Sequence, residues 1–292
     1  MIEPLVLAIF GPTASGKSAV AEAVADRTPA ELVSADSMQV YRRLPILTNQ
    51  PERPTRLVAI WSLAHEASVG EYQQLAHAAI DELLAADRTP VVVGGTGLYL
   101  RAALADLDLP PAPEPGVREE WEAFYDTHGP LHAHGRLQAL DPEAAAGVHP
   151  NDRRRVVRAL ELAAMGSSLA GERLWSGEYR RPTLVFGLDV PPAVLERRIE
   201  ERTRAMFDAG VQEEVRKALE GPISSTARQV LGLDDVASLP REEAITVLTA
   251  RTRRYAAYQR KWMRRVPGLV SVDADRPPAA VADEILEVAS AR

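Results

Sequence analysis

The sequence lacks cysteine, long apolar runs and a net positive charge, and each absence excludes a class of function. Without a thiol among its 292 residues, this chain forms no disulfide bond, has no cysteine nucleophile and offers no cysteine ligands for zinc. No apolar run approaches the ~20 residues of a membrane-spanning helix, so we expect no membrane association. Because the net charge is −7, a nucleic-acid partner would require a local basic surface.

The amino-terminal region contains a short apolar run that leads directly into a glycine-rich loop. The run at 5–10 follows Glu3 and does not resemble a targeting peptide, so we expect a cytoplasmic protein. The loop, GPTASGKS, fits the pattern G-x-x-x-x-G-K-[ST] at every required position, a pattern typical of ATP-binding and other nucleotide-binding proteins. Its amides and Lys17 suit phosphate oxygens, and Ser18 is placed for Mg²⁺, the cofactor we predict. The predicted phosphate-binding residues are Gly11, Pro12, Thr13, Ala14, Ser15, Gly16, Lys17 and Ser18.

Strand-like runs alternate with helical patterns along most of the chain, which predicts a parallel α/β sheet. The strand candidates are 5–10, 31–35, 90–93, 183–190 and 268–272, and helical patterns include 17–26 and 71–86. Residues 106–116 mark a boundary, because five of these eleven are proline or glycine. The pattern from 117 to 180 is helical. We therefore predict a P-loop NTPase-like core in two parts, 1–112 and 183–292, that is interrupted by a helical insertion domain at 113–182.

Polar residues follow the second and third strand candidates, where ligands of parallel sheets bind. Asp36 and Ser37 come after the second strand, and Thr96 comes after the third within Gly94-Gly95-Thr96-Gly97. A carboxylate at this position can bind Mg²⁺, orient a substrate or accept a proton. Two structural alternatives stay open, since Asp36 could cap a helix and the glycine cluster could simply form a strand-to-helix turn.

Three stretches of the chain are rich in basic residues. In 151–162, Arg154 and Arg158 lie on one face of a predicted helix, and 251–265 combines seven basic residues with Tyr255, Tyr258 and Trp262. Basic side chains with interleaved aromatics suit a phosphate backbone and unstacked bases, but a solvated helix face is the alternative for either stretch. The third stretch contains Arg197, Arg198, Arg202 and Arg204 among acidic neighbours, and we interpret it as solvated ion pairs.

Several segments together resemble one family, the tRNA dimethylallyltransferases or isopentenyl-tRNA transferases. The matching segments come in the same order as in the family and spread over most of the chain. Many proteins have a phosphate loop, but the combination of these segments is specific to this family. It rests on GPTASGKS, SADSMQVYR, VVVGGTGLYLRAAL, HPNDRRRVVRALEL, RTRAMFDAGVQEEV and TRRYAAYQRKWMR.

The resemblance implies transfer of a dimethylallyl group from dimethylallyl diphosphate to N6 of the adenosine beside the tRNA anticodon, at position 37. The partners would be dimethylallyl diphosphate and the tRNA anticodon loop, and we expect a monomer. Asp36 would be the general base, Thr96 would lie near the reacting centre, and Lys17 would stabilise the departing diphosphate. The residues implied in tRNA binding are Asp36, Ser37, Met38, Gln39, Thr96, Arg118, Arg154, Arg155, Val156, Val157 and Arg158.

The chain departs from the family pattern in three places. Where the family usually reads Q-V-Y-R-G-M-D-I-G-T-A-K-P, a following His-His-Leu segment and A-I-G-Y-K-E, this chain has QVYRRLPILTNQP, LVAIWSLAHE and RQVLGLDD. The phosphate loop is unaffected by these changes. Two alternative functions therefore stay open: a P-loop kinase of a small metabolite, and a tRNA-binding homologue with weakened catalysis.

Overall fold

A five-stranded parallel sheet forms the centre of the larger of two structural units. The computed structural model describes residues 5–107, 109, 116–168 and 178–291. The units comprise Met1–Asp106 with Trp175–Arg292, and Leu107–Leu174. The sheet has the order β2-β3-β1-β4-β5. Its strands are β1 (Val6–Phe10), β2 (Ala30–Ser34), β3 (Thr89–Gly94), β4 (Thr183–Asp189) and β5 (Val270–Asp273).

The register of the sheet brings the carboxyl ends of its central strands together. All five residues of β1 are buried, as expected for a strand covered on both faces. Phe10, at the end of β1, pairs with Gly94 of β3 and Gly187 of β4, while Ser34 of β2 pairs with Val93. The segments that follow β1, β2 and β3 therefore leave the sheet at one edge, where parallel sheets bind their ligands.

The larger unit contains eight α-helices among its described residues. An apolar cluster that includes Leu7, Val24, Phe186 and Ile285 packs the sheet against the first and last of them. The helices are α1 (Lys17–Ala25), α2 (Val69–Ala85), α3 (Gly97–Leu104), α8 (Pro192–Asp208), α9 (Val211–Leu219), α10 (Leu233–Ser238), α11 (Arg241–Met263) and α12 (Pro278–Ser290), and a 3-10 turn spans Ala227–Gln229. The predicted α/β fold with a phosphate loop after its first strand is confirmed.

The smaller unit is helical throughout its described residues, as predicted. It contains α4 (Val117–His128), α5 (Pro130–Leu140), α6 (Pro142–Ala146) and α7 (Arg153–Ala164). The Asp152 side chain accepts a hydrogen bond from the Arg155 amide and so caps the start of α7. Apolar side chains from these helices form a core of their own.

The second boundary of the insertion lies earlier than the predicted 182. Tyr179 donates its hydroxyl to the Pro267 carbonyl, and the Arg180 amide donates to Leu104 O at 2.8 Å. Residues 178–182 therefore belong to the larger unit, because their hydrogen bonds join them to it. The first boundary lies at 107 where 113 was expected, and residues 108 and 110–115 of the proposed linker are outside the described residues. Among the described residues, no helix is both long and apolar enough to span a bilayer.

Candidate active site

The phosphate loop runs from the end of β1 into α1, in the strand-loop-helix context that its motif requires. Gly16 precedes the helix with φ of 89°, a backbone conformation that residues with a side chain rarely adopt. A Cβ on Gly11 would lie 2.9 Å from Ser15 Oγ, so the loop also needs glycine at its start. The Ser15 amide donates to Pro12 O at 3.2 Å and closes the turn. The first turn of α1 thus directs its free amides toward the loop.

Two cationic side chains lie at this loop. Lys17 Nζ donates to Pro12 O at 2.7 Å, and burial lowers the pKa of this ammonium to about 8, against the opposing effect of the Asp36 carboxylate. Arg202, from α8, donates from Nη2 to Thr13 Oγ1 at 2.6 Å. Its Nε is buried and has no hydrogen-bond partner. A buried donor without a partner beside a phosphate loop is suited to an anionic ligand.

A cavity of about 360 Å³ opens beside the loop within the larger unit. Lys17, Arg198 and Arg202 line it, and Asp36 is the one acidic side chain among its described lining residues. The interpretation of the third basic stretch as solvated ion pairs is correct for Arg197 and Arg204, which pair with Glu201 and Glu200. It is wrong for Arg202, whose donors face the loop and not a neighbouring acid.

Asp36 lies two residues beyond β2 and is half-buried in the cavity wall. Its Oδ1 accepts a hydrogen bond from the Met38 amide at 2.9 Å, which makes a tight turn within its own loop. No helix starts at this point of the chain, so the helix-cap alternative for Asp36 is wrong. The turn fixes the position of the carboxylate next to the cations of the phosphate loop.

Thr96 brings the loops after β2 and β3 together. It precedes α3 but makes no capping bond with its side chain. Its Oγ1 accepts from the Ser37 amide at 3.3 Å and lies 3.2 Å from Ser37 Oγ and 3.3 Å from the Tyr255 hydroxyl. A Cβ on the neighbouring Gly94 would lie 2.1 Å from Ala35 O. The glycines therefore allow this turn to approach the β2 loop closely enough for the Thr96 contacts.

Gln39 lines the cavity but uses its amide group within the protein. Its Oε1 accepts from Ser34 Oγ at 3.1 Å, and its Nε2 donates to Asn49 O at 2.9 Å. Gln39 thus joins the end of β2 to the segment 48–49, which forms another part of the wall. The predicted contact of Gln39 with the target nucleotide stays a prediction, and these hydrogen bonds show that Gln39 also supports the wall.

The remaining predicted tRNA-binding residues lie in the helical unit. Arg118 and Arg158 both contact Glu161, whose side chain is fully buried, at 2.9 and 3.0 Å. Arg154 and Arg155 are exposed on α7. The expectation for Val156 and Val157 needs correction, because both side chains are buried in the core of the helical unit and cannot contact RNA there.

Ser18 fits the predicted role toward Mg²⁺ only together with a phosphate ligand. It is half-buried and lines the cavity next to Lys17. The described residues contain no group of three or more His, Asp or Glu side chains that could hold a metal ion by themselves. Mg²⁺ commonly binds through one or two protein oxygens plus substrate phosphates, and this donor set is of that kind.

Comparisons with known proteins identify the family to which the sequence is similar. The family model of the IPP transferases matches residues 39–266, and that of the isopentenyl transferases matches residues 4–55. The tRNA dimethylallyltransferase of Corynebacterium jeikeium is 38% identical over 300 residues, which cover 97% of this chain and 96% of that protein. The enzyme of the same name from Streptomyces coelicolor is 40% identical over 278 residues, or 90% and 88% of the two chains.

Comparison with solved structures points to the same family. The tRNA isopentenylpyrophosphate transferase of Bacillus halodurans superposes with a TM-score of 0.70 at 32% identity, covering 99% of this chain and 96% of that one. The corresponding protein of Staphylococcus epidermidis has a TM-score of 0.71 at 26% identity, covering 99% and 100%. From its sequence and its fold, the chain belongs to the family of the tRNA dimethylallyltransferases.

Proposed function

We propose that this protein transfers the dimethylallyl group of dimethylallyl diphosphate to N6 of the adenosine at position 37 of tRNA, releasing diphosphate. The observation that carries the proposal is the cavity beside the phosphate loop, which Lys17 and Arg202 line together with Asp36, the one carboxylate among its described lining residues. Family membership supplies the reaction class, and the relatives named above are tRNA dimethylallyltransferases.

The cationic side chains of the cavity suit the departing diphosphate. In the reaction the bond between C1 of the dimethylallyl group and the diphosphate oxygen breaks, and its electron pair leaves with the oxygen. Lys17, Arg202 and the loop amides stabilise the charge that accumulates on the oxygens. Mg²⁺, held by Ser18 and the phosphate oxygens, would neutralise further negative charge when bound.

The carboxylate of the cavity suits the acceptor amine. N6 of adenine forms the new bond to C1 and must then lose a proton. We assign the Asp36 carboxylate, which lines the cavity, as the acceptor of this proton. The Thr96 hydroxyl lies next to this loop through its contacts with Ser37. The adenosine has to leave its stack in the anticodon loop to reach these groups.

The tRNA itself would bind to local basic surfaces of this acidic protein. Candidates are the exposed Arg154 and Arg155 of α7 and the basic residues of α11. A tRNA substrate is also consistent with the cytoplasmic location we expect.

Two alternative functions, a small-metabolite kinase and a tRNA-binding homologue with weakened catalysis, have less support. A small-metabolite kinase would use Lys17 and Ser18 equally well, but the relatives over nearly the whole chain are prenyltransferases. A weakened homologue is suggested by the three departures from the family pattern, the first of which includes the segment 43–50. This segment is well supported, since the Glu214 carboxylate accepts from the amides of Ile46 and Leu47, both at 2.8 Å.

One labelling experiment tests the proposal. The protein is incubated with Mg²⁺, radiolabelled dimethylallyl diphosphate and unmodified tRNA, and the label is located by nuclease digestion and chromatography. We expect the label on the adenosine beside the anticodon, and none without tRNA. Binding of tRNA without any label transfer would support the weakened homologue, and ATP-dependent phosphorylation of a metabolite without tRNA would support the kinase.

A further inference from the structure

One face of α11 packs against the loops of the candidate active site. Tyr255, Gln259 and Trp262 are spaced four and three residues apart, so they share this face. The Tyr255 hydroxyl lies 3.3 Å from Thr96 Oγ1, and Trp262 lies against Gly97 so closely that a Cβ there would be 2.3 Å from the indole. Gln259, between them, is only 2% exposed.

The amide group of Gln259 connects two loops of the site, the phosphate loop and the loop that carries Thr96. Its Oε1 accepts from the Thr13 amide of the phosphate loop at 2.7 Å. Its Nε2 donates to the Gly95 carbonyl, next to Thr96, at 2.9 Å. The partners determine which end of the amide is which, because a backbone amide can only donate and a carbonyl can only accept. A side chain at this position must therefore both accept and donate, which a carboxylate, a lysine or an apolar residue cannot do.

The glycine at 95 is required by the close packing at this connection. A Cβ there would lie 2.2 Å from Gln259 Nε2 and 3.1 Å from Gly11 O. Any larger residue would displace the amide that joins the loops, or the phosphate loop itself. Gly95 thus permits the close approach of both the Gln259 amide and the Gly11 carbonyl.

We infer that Gln259 is a positioning residue for the transfer reaction, one that holds the phosphate loop and the Thr96 loop at a fixed separation. The inference rests on the proposed function. The phosphate loop holds the leaving group, and the Thr96 loop lies beside the acceptor side of the cavity. The distance between the two reacting groups therefore depends on this bridge, and a displacement of about 1 Å can reduce a rate by roughly 100-fold.

Two substitutions test the inference, with Gln229→Met as a matched control at an exposed glutamine of the 3-10 turn. Gln259→Met keeps the length of the side chain but removes both hydrogen bonds. We expect its kcat for transfer to fall roughly 10- to 100-fold while KM for tRNA stays near the wild-type value. Affinity for inorganic diphosphate, measured by calorimetry with Mg²⁺, should fall roughly three- to tenfold. The Gln229→Met control should match the wild type in kcat, in KM for tRNA and in diphosphate affinity.

Gln259→Glu gives a readout that a purely structural role would not produce. An ionised carboxylate accepts from Thr13 N but repels Gly95 O, whereas a protonated one can donate to Gly95 O and restore the bridge. Diphosphate affinity relative to the wild type, compared at each pH, should therefore rise as pH falls through the pKa of this buried carboxyl.

Two results would overturn the inference. One is a wild-type kcat in Gln259→Met, and the other is a diphosphate affinity of Gln259→Glu, relative to the wild type, that does not change with pH. If the wild type transfers no dimethylallyl group, the proposed function fails, but the diphosphate affinities still test the bridge, because they require no catalysis.

Discussion

At the scale of single residues, the buried ammonium of Lys17 links diphosphate binding to pH. Burial lowers its pKa to about 8 in the free protein, and a bound diphosphate would raise it again. Affinity for dimethylallyl diphosphate should therefore weaken as pH rises through about 8, because free Lys17 then loses its proton. Calorimetry in buffers of different ionisation enthalpy should show proton uptake on binding in this range.

Lys17→Arg is the control for this prediction, because guanidinium keeps its charge at these pH values. The variant should bind without proton uptake and with less dependence on pH. Affinity of the wild type that stays constant from pH 7 to 10 would contradict the assignment of Lys17 to the diphosphate.

The residues that sequence reasoning found differ in kind from those it missed. Lys17 belongs to the phosphate-loop motif, and Asp36 and Thr96 each come two residues after a strand, so local patterns suffice to locate them. Arg202 was misinterpreted because acidic neighbours surround it in sequence, and only the packing of α8 against the phosphate loop brings its donors there. Gln259 gave no local signal, since its two partners come from distant parts of the chain.

At the scale of secondary structure elements, Glu161 of α7 joins this helix to α4. Its buried carboxylate forms ion pairs with Arg118 and Arg158, and both arginine side chains are partly exposed. Glu161→Ala leaves the two cations without this partner, so we expect the free energy of unfolding of the helical unit to fall by about 1–3 kcal/mol, discounted for their exposure. Urea unfolding followed by circular dichroism measures the change.

Glu143→Ala removes an exposed carboxylate of α6 in the same unit and serves as the control. Equal midpoints for both variants would show that Glu161 does not hold the two helices together.

The apolar runs predicted every strand of the sheet to within about two residues, because buried parallel strands are continuous in sequence. The second boundary of the insertion was misplaced because the bonds of Tyr179 and Arg180 to the larger unit have no sequence pattern.

At the scale of the whole molecule, a net charge of −7 opposes binding to RNA, so any tRNA affinity must come from local contacts. Arg154 and Arg155 are exposed on α7 and are the best placed of the predicted arginines. Replacing both with alanine should reduce the slope of log affinity against log salt by about one to two units, as counterion release requires. Filter binding of tRNA at several salt concentrations tests this, and an unchanged slope would assign both side chains to a solvated surface.

The central claim is that one cavity combines a diphosphate site with a proton acceptor, and the Asp36→Asn variant tests it most directly. Asparagine keeps an oxygen for the Met38 amide, so the turn and the binding of each substrate should change little, but the basicity is lost. The measurement is the single-turnover rate of dimethylallyl transfer to tRNA with both substrates saturating. We predict a rate roughly two to four orders of magnitude below that of the wild type. A near-normal rate would contradict the role of Asp36 as the general base.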